Sequence, residues 1–312
     1  MMLTHPVPAL NEDARNQDAS TSGVMPRELH AGRPYGRPAL AIAYWLSGAL
    51  GVAAFIASVV GVVYPHVFRD PAMTAGNARG TSLVVLAIAL PMLLVDMALA
   101  ARGSLRARII WLGALGYLVY NGVIFAFDTT FNGLFLVYVA MLSLAIWSLV
   151  ALVSHADARD IQATFRSVVP PRVIATYLLV ITALFAAIWL SQIVPALLAG
   201  GAPTVLQGTT MLTSPVHVLD LGFSLPVSAL AAVWLWRRRP WGYLLAGSML
   251  VMLTIESASI AVDQWFGHLS DPNASAAMTP VFAVFTLIQL VPTVALLMRL
   301  RWRGSPSEGK GA

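Results

Sequence analysis

Eight apolar stretches alternate with polar gaps along the chain, at roughly residues 39 to 64, 81 to 101, 108 to 127, 131 to 154, 173 to 199, 217 to 236, 241 to 262 and 279 to 300. Each is near the ~20 residues that a bilayer-spanning helix requires. The pattern predicts an all-α integral membrane protein with eight transmembrane helices. The polar ends read differently: residues 1–38 carry five prolines, both charge signs and no apolar run, and residues 303–312 are similarly polar. Both are expected to be disordered cytoplasmic tails, and the first lacks the apolar core of a secretory signal.

Charge orients the helices. Of the nineteen Lys and Arg residues, seventeen fall in alternate gaps: before the first stretch, between the second and third, the fourth and fifth, the sixth and seventh, and after the eighth. Only Arg69 and Arg79 lie in the other set. Short loops rich in Lys and Arg stay in the cytoplasm during insertion, so both termini are expected there.

The halves also resemble each other. An offset of 135 residues sets Pro91 on Pro226 and Arg102 on Arg237, and brings Asp128 close to Asp263. The domains expected are a four-helix unit over 39–154, a cytoplasmic linker over 155–172 and a second four-helix unit over 173–302. Units of four helices share one orientation, and such parallel repeats commonly hold a binding cavity at their interface. Pro91 and Pro226 should bend their helices, because each removes a backbone hydrogen bond in mid-span. Trp111, Trp236, Trp241 and Trp302 sit beside the basic clusters, where an aromatic interfacial belt is expected.

Composition removes several function classes. With 58 % hydrophobic and 11 % charged residues, the chain does not describe a soluble domain. Its net charge of +5 comes from short juxtamembrane arginine clusters, which suit anionic lipid headgroups and lack the interleaved aromatics of a nucleic-acid groove. The absence of Cys removes disulfides, zinc-thiolate sites and thiol catalysis. No P-loop, Gly-x-Ser-x-Gly elbow or His-Glu-x-x-His motif occurs, and no cofactor signature is present. The sole Lys is Lys310, so no span can carry a retinal Schiff base.

The chemistry left is that of ionisable groups inside spans, where a charge costs at least about 2.5 to 3.5 kcal/mol at the bilayer centre. Asp96 lies near the basic end of its span and can snorkel or pair with Arg102 or Arg106. Glu256 is deeper, about 10 Å below the outer surface if its span ends at residue 262. Around it the outer halves of the spans carry Tyr117, Tyr120, Asn121 and Asp128 on the third, His217 and Asp220 three apart on the sixth, and Asp263 at the end of the seventh. These eight residues form the candidate binding cavity, open to the outer face. His66, Asp70, His268 and Asp271 lie in the adjoining loops.

Three chemistries fit the cluster. Glu256 and Asp220 can exchange protons or bind a cation while solute crosses. Alternatively, His217 and Asp220, with Asp128 and Glu256, can hold a divalent metal that activates water on a lipid or envelope substrate, although no second His stands three or four residues away. In the third reading the groups satisfy one another and the protein is a scaffold. Trp-Leu-Gly-Ala-Leu-Gly-Tyr-Leu-Val-Tyr-Asn at 111–121, Phe-Asn-Gly-Leu-Phe-Leu-Val-Tyr-Val-Ala at 131–140, Pro-Val-His-Val-Leu-Asp-Leu at 215–221 and Arg-Arg-Arg-Pro-Trp-Gly-Tyr at 237–243 resemble a family of uncharacterised bacterial multi-pass membrane proteins. That resemblance implies a bacterial inner or plasma membrane and carries no known activity. Small-solute or ion transport is the favoured expectation over enzymatic chemistry, with the hydrolase and the scaffold as alternatives.

Overall fold

The computed structural model describes residues 37–156, 158, 159, 162 and 170–298. The two expected tails and most of the expected linker lie outside the described residues. Eight helices are long and apolar enough to cross a membrane: α1 Leu40–Val63, α2 Ala72–Ala101, α3 Leu105–Phe127, α4 Phe135–Ser154, α5 Pro171–Leu198, α6 Pro215–Trp236, α7 Pro240–Ser270 and α8 Met278–Leu297. No strand occurs among the described residues. The protein is an all-α, multi-pass membrane protein.

The loops sort onto two faces. Asp70, between α1 and α2, bonds Thr130, between α3 and α4, and Thr210, between α5 and α6. On the opposite face Arg106 donates to the Met298 carbonyl beyond α8, and Gln162 donates to the Arg238 carbonyl between α6 and α7. The described arginine-rich loops therefore share one face.

Two helices are longer than hydropathy predicts. α2 starts at Ala72 instead of residue 81, and α7 runs on to Ser270 instead of residue 262. Their additional turns are polar and pack on each other through glycine. A Cβ on Gly80 would stand 2.6 Å from the Asp263 Cα, and one on Gly76 would stand 2.6 Å from the Ser270 hydroxyl. Lipid tails are as apolar as the helices, so close backbone approach and polar contacts hold spans together. Gly113, tight against Val251, does the same between α3 and α7.

The prolines act through the helix register more than by a simple bend. A π-helical turn at Val85–Ala89 precedes Leu90-Pro91, and another at Asp220–Ser224 precedes Leu225-Pro226. Proline lacks an N–H and crowds the carbonyl four residues before it, and the wider π turn relieves that conflict. The two π turns are 135 residues apart. So are the helix ends at Ala101 and Trp236, and the helix starts at Leu105 and Pro240.

α3 is the central helix, with 67 % of its span buried inside the protein, whereas α5 and α8 bury only 17 % and 22 %. Trp111 is a core residue and does not belong to the interfacial belt: it is wholly buried, its indole N–H donates to Ser47 Oγ at 3.2 Å, and its ring packs on Tyr44. A buried indole needs an acceptor, and Ser47 on α1 supplies it. Of the two expectations for Asp96, snorkelling to the surface fails, because the side chain is buried. Trp236 and Trp241 are exposed near the basic face, as a belt requires, and Arg172 lies over the Trp236 ring.

A candidate carboxylate relay between α3, α6 and α7

Helical spacing places the candidates. On α3, Tyr117, Asn121 and Asp128 recur at intervals of four and seven, and on α7 Glu256 and Asp263 are seven apart, so each set occupies one face. α3 and α7 pack against each other along those faces, and the Tyr117 hydroxyl donates to Ser259 Oγ at 3.0 Å.

Glu256 lies near the middle of its helix. Because α7 continues to Ser270, fourteen residues separate Glu256 from the end of its helix, about 21 Å at 1.5 Å per residue. Its Oε2 is buried and has no hydrogen-bond partner among the described residues. Asn121 reaches the same carboxyl, and Asp220 and Asp263 both lie within electrostatic range of it. Asp220 opens the π turn of α6, where the Tyr120 hydroxyl and the Trp189 indole N–H both donate to it, the latter to Oδ2 at 2.8 Å. Asp263 accepts from Gln264 and Thr81 and faces Asp128. Asp128 in turn faces Asp70, whose Oδ1 accepts from the Thr130 amide at 2.9 Å and from the Thr130 hydroxyl at 2.7 Å.

The result is an ordered line of carboxyls, Asp70, Asp128, Asp263, Glu256 and Asp220, running from the loops into mid-span. Its interactions come from hydroxyl, amide and indole groups and from the acids themselves. Tyr117, Tyr120 and Asn121 are buried behind it, whereas Glu256, Asp220, Asp263 and Asp128 are each half-buried. All of the sequence-predicted acids therefore come together.

His217 plays another part. Its ring meets the Trp189 ring edge-on at 4.8 Å, and its backbone N–H is capped by Ser214. Among the described residues no three His, Asp or Glu side chains are gathered to hold one metal ion. The His217–Asp220 pair thus brackets an indole. Sequence reasoning missed Trp189, Thr81 and Ser259, whose spacing on their own helices carries no chemical signature, and left Asp70 in a loop without a role.

Asp128 ends α3 outside the span, and burial together with the neighbouring Asp70 pushes its carboxyl from 3.8 up to about 6. Between those two values the folded protein holds a proton that the unfolded chain has released, so this group's contribution to stability falls as pH rises through that window. Asp128→Asn should therefore raise the melting temperature of the purified protein at pH 7 and leave it unchanged near pH 3.5. An equal shift at both values would show that ionisation of Asp128 is not the cause.

Compared with protein-family models, with curated proteins and with solved structures, the chain matches none.

Proposed function

We propose that the protein moves a small solute or ion across the membrane, coupled to protons passing along the carboxyl line. One observation carries this reading: five acids stand in sequence from the loop face to mid-span, and the deepest region contains a carboxyl oxygen with no partner among the described residues, Glu256 Oε2. An unpaired carboxylate in a membrane interior costs several kcal/mol, and a proton or a bound cation removes that cost. Tyr120 and Asn121 give the exchanging groups fixed partners, and the line starts at Asp70 on the face opposite the arginines.

The halves are read here as parallel repeats about an axis between α3 and α7. The 135-residue offset sets Asn121 on Glu256 and Asp128 on Asp263 without any slip, and in each of these pairs the two residues are spatial neighbours. Paired π turns at Val85–Ala89 and Asp220–Ser224 are adjustable points in otherwise stiff helices, suited to the rocking of one unit against the other.

The membrane is read as a bacterial plasma membrane, in line with the resemblance of residues 111–121 and 131–140, with the arginine-rich face in the cytoplasm. Because the chain has no native Cys, a Gln207→Cys variant should react with a membrane-impermeant maleimide added to intact cells, and an Arg238→Cys variant only after permeabilisation. Reversed labelling would invert the assignment.

Function is tested in proteoliposomes loaded with a pH-sensitive dye. Under a potassium diffusion potential, vesicles holding the protein should change internal pH faster than empty vesicles. Equal rates with and without a panel of solutes would refute proton coupling.

A further inference from the structure

α5 and α8 are the least embedded spans, yet they are bridged by aromatic rings. Phe185 on α5 meets Phe285 edge-on at 5.5 Å and Phe282 at 6.4 Å, both on α8, and one turn further along α5 Trp189 reaches Asp220 and His217. All four rings are half-buried. Other ring pairs between spans, Tyr44 with Trp111 and Phe125 with Tyr138, each include a fully buried ring; here the rings between helices are partly accessible and lead to a carboxylate.

Gln289 lies four residues beyond Phe285 and seven beyond Phe282, on their face of α8, and is 0 % exposed. Neither its amide nitrogen nor its amide oxygen has a hydrogen-bond partner among the described residues. A buried amide with both ends unsatisfied is costly in a membrane interior, and the Thr286 and Thr293 hydroxyls on either side of it bond Ser257 and Thr254 of α7.

We infer that the substrate is a hydrophobic cation, an amphiphile whose apolar body enters sideways from the membrane between α5 and α8 and whose charge is received at Asp220. This deepens the proposed function and rests on it. The chemistry matches the lining. Ring faces attract cations, most strongly where water is excluded, and the same rings cover an apolar body. Asp220 stands where the crevice meets the carboxyl line, through Trp189 on one side and Tyr120 and Glu256 on the other, so an arriving cation displaces positive charge from that line as protons. A hydrophilic cation would gain nothing from the rings, and an anion would be repelled by the acids.

Tetraphenylphosphonium serves as the probe, titrated into the detergent-purified full-length protein and followed by tryptophan quenching and by proton release in weakly buffered solution. Saturable binding with proton release is expected, weakened about tenfold or more in Phe185→Ala and Phe285→Ala by loss of the cation–ring contacts, and abolished in Asp220→Asn, while tetramethylammonium fails to compete. Binding that is non-saturable, or equal in the wild type and Asp220→Asn, is partition into detergent and overturns the inference, as does binding indifferent to both phenylalanine variants. Proton movement in vesicles without any phosphonium binding overturns the inference and leaves proton coupling standing. Phosphonium binding that depends on Asp220 but releases no protons upholds the crevice and overturns proton coupling.

Discussion

Glu256→Gln stops proton movement in proteoliposomes, with the rate falling at least about 100-fold to that of empty vesicles, equivalent to about 2.7 kcal/mol of lost barrier lowering. The amide keeps the size of the side chain and its reach to Asn121, and loses only the exchangeable acidic proton. Folding should not suffer. A neutral group replaces one whose charged form is costly at that depth, so the variant should purify at wild-type yield with an equal or higher melting temperature. That combination, intact protein without flux, separates a working proton carrier from a structural group. If the flux survives, Glu256 is not on the path; if protein and flux are lost together, the residue holds the α3–α7 contact. Asp96, buried in α2 and away from the line, provides the comparison: Asp96→Asn should leave the rate within about twofold, on the rule that distant sites act independently.

Gly80→Ala should destabilise the protein by forcing the outer turns of α2 and α7 apart. The added Cβ would lie 2.6 Å from the Asp263 Cα and 3.0 Å from its nitrogen, so backbone and not a yielding side chain must shift. Overpacking of this kind costs about 1 to 3 kcal/mol, a fall of several degrees in melting temperature on the scale of about 2 to 4 °C per kcal/mol. Gly48→Ala, in α1, is the matched control, because nothing lies within 4 Å of its added Cβ. There the gain in helix propensity, about 0.5 to 1 kcal/mol, should leave stability equal or higher. Differential scanning of both variants decides the matter. A similar response at the two positions would mean that the α2–α7 contact is looser than the geometry indicates. Because the Gly80 contact is to Asp263 itself, loosening it should also disturb the middle of the carboxyl line.

The two predictions connect packing with chemistry. α7 carries both the acids and the glycine-lined contacts, so the interactions that position Glu256 and Asp263 are backbone approaches more than polar clamps. For this reason conservative changes at Gly76, Gly80 or Gly113 should alter pH dependence as well as stability, while changes on lipid-facing residues such as Leu136 or Leu287 should alter neither.

Much of the architecture was legible along the chain. Hydropathy alone separates eight spans, because a membrane interior tolerates little but apolar helix, and the alternation of arginines assigns loops to faces because charge resists translocation. The acids of the site were legible for the same reason: a carboxyl in an apolar run is expensive enough to stand out. What hydropathy could not reach were elements whose stability comes from a neighbour. The outer turns of α2 and α7 are polar and pack on each other through glycine, so hydropathy placed the end of α7 eight residues short, at 262 instead of Ser270. Trp111 looked interfacial from its place beside arginines, and Ser47 on another helix makes it a core residue. Asp220 and His217 suggested a metal pair by spacing, and Trp189, thirty-one residues from Asp220, takes the carboxylate instead.

The sequence by itself determined that this is an eight-span membrane protein, which faces its loops share, and which ionisable groups are exceptional, since each depends on the cost of moving one residue between water and lipid. The tertiary structure alone decided that those acids form a single ordered line, that Asp70 begins it, that Trp189 joins it to the aromatic rings between α5 and α8, and that Glu256 Oε2 and the Gln289 amide have no partner among the described residues. These are properties of distance between helices far apart in the chain, set by where small residues let backbones meet, and a residue's own transfer energy contains no information about them.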